Sequence, residues 1–182
     1  MKNGQQLLDL LGNGRNGNWI VIHGHKHHAK VAYSQGSNSA PFVMAAGSFS
    51  AVIYPKLQSE ARNQFYLLEL PLNNPCGFVG TIKAWDWTPR GWADAMPKGS
   101  GLPALSKFGC RDTSQNLARR INQILGTSVV ENWSTILLNV PEVEFLLPND
   151  LETLVRVLYK QFRINVEYDN GVPKELGRLE ST

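Results

Sequence analysis

The residues with the clearest chemistry are the four histidines of the chain, which all fall within six positions: His23, His25, His27 and His28. Neutral imidazole is the commonest metal ligand in proteins. His25 and His27 stand two positions apart and project to the same side of an extended segment, and Gly24 lets the backbone approach a metal closely. A solvated histidine-rich loop is the alternative. We predict a metal site with His25 and His27 as ligands and with His23 and His28 as supporting or surface residues.

Short apolar segments must position these histidines. Residues 19–22 (Trp-Ile-Val-Ile) are typical of a buried strand that ends at the cluster. A second apolar segment, 41–46, ends at Gly47 and Ser48. The other elements predicted up to about residue 90 are a helix at 5–11 and two paired strands at 64–70 and 79–85, joined through a turn at 73–77.

Taken in order, these segments resemble the end of a calcineurin-like metallophosphoesterase domain. That family closes its catalytic domain with a G-H-x-H motif, here Gly24 to His27. A strand carrying G-S follows, here Gly47-Ser48, and then an outer strand, here 63–70. The resemblance covers residues 5–90. It implies an α/β (α+β) fold, in which the terminal strands of a metallophosphoesterase-type β-sandwich are flanked by helices.

The resemblance also implies a chemistry. His25 would bind one of two divalent metal ions and His27 the other, with His23, Gly24, Gly47 and Ser48 as supporting residues. The ions would be manganese, zinc, iron or nickel, because imidazole does not choose among them. Two metals about 3.5–4 Å apart clamp a phosphate and generate hydroxide from bound water. The substrate would be a phosphomonoester, a phosphodiester or a nucleotide.

The other motifs of that family, D-x-H, G-D-x-x-D and G-N-H-[DE], do not occur in the sequence. We therefore expect a fragment that is inactive alone, and we assign no catalytic residue. Its partner would be the missing N-terminal part of the catalytic domain. The alternative function is a non-catalytic partner-binding module with a vestigial or structural histidine metal site.

The second half of the chain has a different character. Residues 91–113 are rich in Gly, Pro and Ser and are predicted to be a linker or long loop. This divides the chain into a metallophosphoesterase part at 1–90, the linker, and a small α+β appendage at 114–182. The appendage is predicted to hold a helix from Ser114 to Leu125, a second helix capped by Asn149 or Asp150, and a strand at 164–168.

Three tryptophans, Trp85, Trp87 and Trp92, alternate with basic residues in the segment 83–92. Aromatic rings can stack on the bases of single-stranded nucleic acid. The interpretation we favour is that they pack on one face of a sheet.

The composition indicates which classes of partner are excluded and in which cellular compartment the protein is expected. The 182 residues carry a net charge of +3, which is too small and too scattered to indicate nucleic acid or a membrane surface. No run approaches about 18 apolar residues, so no membrane span is predicted. Two distant cysteines, Cys76 and Cys110, do not form a disulfide framework and indicate a cytoplasmic protein with reduced thiols.

Overall fold

The structure is a computed structural model that describes residues 3–15, 17–24, 28–34, 39–53, 61–96, 101–169 and 171–179. Helices and strands are mixed along the chain, so the predicted α+β class is confirmed. Two compact units are distinguished by their internal contacts. The first consists of Met1–Leu72 and Gly80–Ser106, and the second of Asn73–Val79 and Lys107–Thr182.

The first unit begins with one helix and a three-stranded sheet. Its elements are α1 (Gly4–Leu11), β1 (Ile20–His23), β2 (Lys30–Tyr33) and β3 (Phe42–Ala45). The strand order is β1-β3-β2, with β1 parallel and β2 antiparallel to β3. Phe42 and Met44 of the central strand are buried. Gly12 ends α1, and its N–H donates to the carbonyl oxygen of Leu8 at 2.8 Å.

A second sheet completes the first unit. It has four strands: β4 (Gln64–Glu69), β5 (Gly80–Thr88), β6 (Gly91–Asp94) and β7 (Leu105–Phe108). β5 lies between β4 and β6, is antiparallel to both, and also pairs with β7. The predicted pairing of the segments around β4 and β5 is therefore confirmed. Ile82 and Ala84 of β5 are buried, and the alternating residues of this strand face the other side of the sheet.

The segment 91–113 holds two strands, β6 and β7 (Leu105–Phe108), so its description as a linker or long loop is wrong for these residues. Its glycines suggested a loop, yet Gly91 closes a tight hairpin between β5 and β6. The φ of Gly91 is +113°, a conformation that residues with side chains rarely adopt. The hydroxyl of Thr88 donates to the Gly91 carbonyl at 2.7 Å and holds the turn closed.

The second unit contains three α-helices, a 3₁₀ helix and a three-stranded sheet. The helical elements are α2 (Ser114–Leu125), α3 (Trp133–Asn139), the 3₁₀ helix (Pro141–Phe145) and α4 (Pro148–Phe162). The strands are β8 (Val130–Asn132), β9 (Ile164–Asp169) and β10 (Val172–Arg178). β10 lies between β8 and β9 and is antiparallel to both. β9 and β10 form a hairpin that turns at Gly171, whose φ is +81°.

Both predicted helices of this unit are present, but their caps differ from the predicted ones. Thr113, not Ser114, caps α2, and its side chain accepts a hydrogen bond from the Asn116 N–H at 3.2 Å. α4 begins at Pro148, earlier than predicted, because proline lacks the N–H that a first turn leaves unpaired. Asn149 and Asp150 therefore lie inside its first turn. Within the described ranges, every helix is too short or too polar to cross a lipid bilayer.

Candidate functional site

The predicted metal ligands His25 and His27 lie outside the described residues, so their role stays a prediction. His23 is the last residue of β1 and is exposed, as are Gly24 and His28. Among the residues that the structure describes, no three His, Cys, Asp or Glu side chains converge as a metal site would require. A strand precedes the cluster, as the apolar pattern predicted, but it is not a buried one: none of its four residues is buried, and Ile22 is 55% exposed.

Gly47 and Ser48, the predicted supporting residues, follow β3 and contact β4. The Gly47 N–H donates to the Tyr66 hydroxyl at 3.0 Å, and a Cβ on Gly47 would lie 2.6 Å from that oxygen. Only glycine therefore fits at position 47. Ser48 forms a parallel bridge with Asn63, and its carbonyl accepts the Gln64 N–H at 2.7 Å. These contacts give both residues a structural role in joining the two strands.

Gln64 lies at the centre of a buried polar network that the sequence did not reveal. Its amide nitrogen donates to the Asp86 carboxylate at 2.7 Å and to the Leu102 carbonyl at 2.8 Å. Its amide oxygen accepts from the Tyr66 hydroxyl and from the Leu102 N–H, both at 2.9 Å. Arg62 completes the network with an ion pair to Asp86 at 2.7 Å. Every donor and acceptor of the Gln64 side chain thus has a partner.

This network holds the first unit together and is not suited to acid–base chemistry. Burial raises the pKa of Tyr66 to about 12, although the hydrogen bond from Gly47 acts in the opposite direction. A phenol with that pKa stays protonated at neutral pH and acts as a hydrogen-bond donor. Gln64, the first residue of β4, gave no signal in the sequence, because its hydrogen-bond partners lie far away along the chain, one of them at Leu102.

The second unit presents a different surface, the exposed face of α4. Side chains at helical spacing line this face, and the structure leaves them exposed: Asn149, Glu152, Thr153, Arg156, Tyr159 and Lys160. The opposite side of the helix carries Leu154 and Leu158, which are completely buried. At 3.6 residues per turn, Arg156 lies on the side of the helix opposite these two leucines, at the centre of the exposed face.

A packed core fixes α4 from behind. Its buried leucines belong to one apolar cluster with Leu117 and Ile121 of α2 and Ile136 of α3. α4 packs on α2 and on β9, so both neighbours constrain its position. Burying a leucine or isoleucine side chain stabilises a fold by about 1.5–3 kcal/mol. The exposed face of α4 is therefore carried by a rigid support, which favours recognition of a partner by a preformed surface.

The β9–β10 hairpin extends this face on one side. Tyr168 of β9 is 48% exposed. Partial burial raises the pKa of Tyr168, and the negative charge of Glu152 on α4 adds to that rise. The hydroxyl group of Tyr168 is therefore close to the first turns of α4. Tyr159 contributes a second, 55% exposed phenol ring, so the surface combines aromatic and charged groups.

Charged residues of both signs lie on the exposed face of α4, where Arg156 and Lys160 are basic and Glu152 is acidic. Residues 148–179 as a whole contain five basic and five acidic residues. A protein that binds duplex DNA needs an excess of basic residues to neutralise phosphates. A surface of mixed charge with exposed tyrosines is more typical of an interface with another protein.

The sequence indicated α4 through its buried stripe but gave no function to its exposed face. The sequence did contain a signal for this face: the 3.6-residue period that places the leucines on one side of α4 places Arg156 and Tyr159, among polar residues, on the opposite side. α3 and β8, which complete the unit, were not predicted.

Comparisons with known proteins bear on this second unit. No curated protein matches the chain, and no solved structure matches it either. One family model, described as wHTH-Calcineurin_assc, matches residues 106–159, which are less than a third of the chain. Its name denotes a winged helix-turn-helix. The matched residues contain α2, β8, α3 and most of α4, and the β9–β10 hairpin follows after the match ends.

This match corrects two predictions. The family found is a winged helix-turn-helix family and not a metallophosphoesterase catalytic domain, so the resemblance stated for residues 5–90 is wrong. The prediction that the chain is a metal-binding hydrolase rested on that resemblance and is also wrong. The G-H-x-H pattern misled because a single short motif was extended to a whole family. Over residues 106–159, the chain is similar to the winged helix-turn-helix family named wHTH-Calcineurin_assc.

Proposed function

We propose that this chain is a non-catalytic partner-binding module and that the exposed face of α4 binds another protein. The observation that carries the proposal is the exposed stripe around Arg156, mounted on a helix whose opposite side is completely buried. In DNA-binding helix-turn-helix proteins the second helix is the element that contacts the DNA, and we assign the same helix to the contact with a protein. In this chain that helix is α4.

The partner is assigned as a protein because of the composition of the face. Tyr159 and Arg156 belong to the residue types that contribute most to protein–protein binding. Tyr168 adds a further aromatic ring. Glu152 lies on the same face, and a carboxylate there would repel the phosphates of a nucleic acid.

The test compares three forms of the full chain: wild type, Arg156→Glu, and Arg119→Glu as a matched control. Arg119 is exposed on α2, where it donates to the Asn116 side chain at 3.2 Å. Each form is immobilised, and proteins captured from an extract of the source cells are quantified by mass spectrometry. We expect at least one protein whose recovery falls by about ten-fold or more with Arg156→Glu and is unchanged with Arg119→Glu.

A second measurement separates protein from nucleic acid. Fluorescence anisotropy reports binding of a DNA duplex of about twenty base pairs to the same three forms. Weak binding that does not depend on Arg156 agrees with the proposal. Tight binding that is lost with Arg156→Glu and falls steeply with salt would assign α4 to DNA instead. Capture patterns that are identical for all three forms would remove α4 as a recognition surface.

A further inference from the structure

The β5–β6 hairpin of the first unit carries a cluster of exposed aromatic rings. Trp87 and Trp92 lie opposite each other in the hairpin, with ring centroids 5.3 Å apart and an interplanar angle of 66°. Phe49 stacks on Trp92 at 5.2 Å. These three rings remain 55%, 37% and 62% exposed, in the order Trp87, Trp92, Phe49.

Only part of the tryptophan segment packs on the sheet as predicted. Trp85 stacks on Phe65 of the neighbouring strand, with ring centroids 4.5 Å apart and planes within 9° of parallel. Trp87 lies two positions farther along the same face of β5, and its only ring contact among the described residues is with Trp92. Large aromatic rings exposed side by side are typical of a binding surface.

The rings form walls of a cleft with a volume of about 360 Å³, which Phe49, Ser50, Asn63, Trp87 and Trp92 line. That volume falls within the usual range for ligand sites, about 300–1,000 Å³. Two aromatic walls inclined at 66° offer two faces against which a compact apolar ring can pack.

Hydrogen bonds fix the floor of the cleft. The Trp87 N–H donates to the Asn63 carbonyl at 2.9 Å, and the Asn63 side-chain amide donates to the Ala51 carbonyl at 2.9 Å. The Ala51 N–H in turn donates to the Ser48 hydroxyl at 2.9 Å. The loop that carries Phe49 is thereby tied to β4 and β5. The cleft is preformed, so a ligand loses little free energy in ordering it.

The chemistry of the lining indicates an uncharged ligand. None of the five lining residues carries a charge. Two nearby cations are already paired: Arg62 with Asp86 at 2.7 Å and Lys83 with Glu69 at 2.8 Å. Arg90, in the turn of the β5–β6 hairpin, is exposed. Single-stranded nucleic acid needs a positively charged groove beside its stacking rings, and one exposed arginine does not make such a groove.

We propose that this aromatic cleft binds a proline-rich peptide in the polyproline II conformation. Such a peptide carries compact apolar rings, no charge, and carbonyl groups that only accept hydrogen bonds. The indole N–H groups of Trp87 and Trp92 and the hydroxyl of Ser50 can donate to those carbonyls. Proline-rich segments dock into aromatic-lined grooves because their conformation is fixed before binding. The cleft belongs to the first unit, and this inference does not depend on α4.

The experiment titrates decaproline into the full chain and follows binding by isothermal calorimetry. Trp87→Ala removes one wall of the cleft, and Trp19→Ala is the matched control, because Trp19 is 39% exposed just before β1. We expect saturable binding to wild type, a loss of about ten-fold or more with Trp87→Ala, and no change with Trp19→Ala. Far-UV circular dichroism checks the fold. If Trp87→Ala fails to fold, Phe49→Ala provides the same test.

Two further ligands decide between occupants. A deoxythymidine decamer and cellohexaose are titrated under the same conditions, and neither is expected to bind measurably. Binding of either one that depends on Trp87 would overturn the assignment to a proline-rich peptide. No saturable binding of decaproline, or an equal loss with Trp87→Ala and Trp19→Ala, would overturn it as well.

Discussion

Replacing Gln64 by methionine tests whether the buried polar network stabilises the first unit. Methionine matches glutamine in length and keeps the packing volume, but it removes all four hydrogen bonds. An oxygen of the Asp86 carboxylate and both the N–H and the carbonyl of Leu102 are left without a partner. The Tyr66 hydroxyl keeps the Gly47 N–H as a donor but loses the acceptor of its own proton. Gln64 is only 2% exposed, so water cannot replace these partners without rearrangement.

The expected loss follows from these four groups. A buried polar group without its partner costs about 1–3 kcal/mol. At the lower end, the four together cost about 4 kcal/mol, and the apolar methionine side chain offsets about 1 kcal/mol of this. We therefore expect the free energy of unfolding to fall by about 3 kcal/mol. A domain of ordinary stability has about 5–15 kcal/mol in total, so the change would be readily measured.

The assay is urea unfolding followed by tryptophan fluorescence, because Trp85, Trp87 and Trp92 all belong to the first unit. Gln115→Met is the matched control: Gln115 is exposed on α2, and its replacement should change stability by less than about 0.5 kcal/mol. A loss below about 1 kcal/mol for Gln64→Met, or equal losses for the two variants, would refute the reasoning that this network is dry and fully satisfied.

Three further predictions concern the second unit. In Gly109→Ala the new methyl group would lie 2.5 Å from a backbone carbon at a φ of +130°, so we expect a loss of more than about 3 kcal/mol in thermal unfolding. Gly77→Ala, with open space around it, should lose only about 1–2 kcal/mol, and similar losses would contradict this. Leu154→Ala should lower the free energy of unfolding by about 2–5 kcal/mol in urea, because Leu154 is completely buried, whereas Leu138→Ala should change it very little, because Leu138 is 83% exposed. A small effect of Leu154→Ala would show that the core behind α4 is loosely packed. Burial raises the pKa of Cys110 from 9.0 to about 11, so its contribution to stability is complete below pH 9 and is lost as pH rises towards 11. Wild type should then lose up to about 3 kcal/mol more than Cys110→Ala between these pH values in urea unfolding, and parallel pH profiles would rule this out.

The elements that the sequence predicted are those with a strong local pattern. α2 followed from its apolar positions and from Gly126 as a stop signal, and α4 followed from Leu151, Leu154 and Leu158. The pairing of β4 with β5 followed from the turn-rich segment between them. In each of these elements, neighbours along the chain determine the structure, so single-sequence reasoning could succeed.

The elements that it missed depend on distant partners. β10 contains Pro173 and Gly177 and shows no clean alternation. It is a strand because it pairs with β8 on one side and with β9 on the other. α3 has only seven residues, two of them β-branched, and its intrinsic tendency to form a helix is weak. The candidate surfaces were missed for a similar reason. The period of α4 shows which of its residues are exposed but not what they bind. The cleft depends on the contact of Phe49 with Trp92, residues 43 positions apart, which only the fold brings together.

The second unit is built from two separate stretches of the chain, because Asn73–Val79 belongs to it along with Lys107–Thr182. Val79 is buried, and a Cβ on Gly109 would come within 2.5 Å of it. During synthesis on a ribosome, residues 73–79 emerge well before the rest of the unit, and they cannot pack into it until residues 107–182 have been synthesised. A polypeptide that begins at residue 107 would lack the segment Asn73–Val79 and its buried Val79. A transfer of the second unit to another protein would therefore have to include all of residues 73–182, and with them β5 and β6 of the first unit.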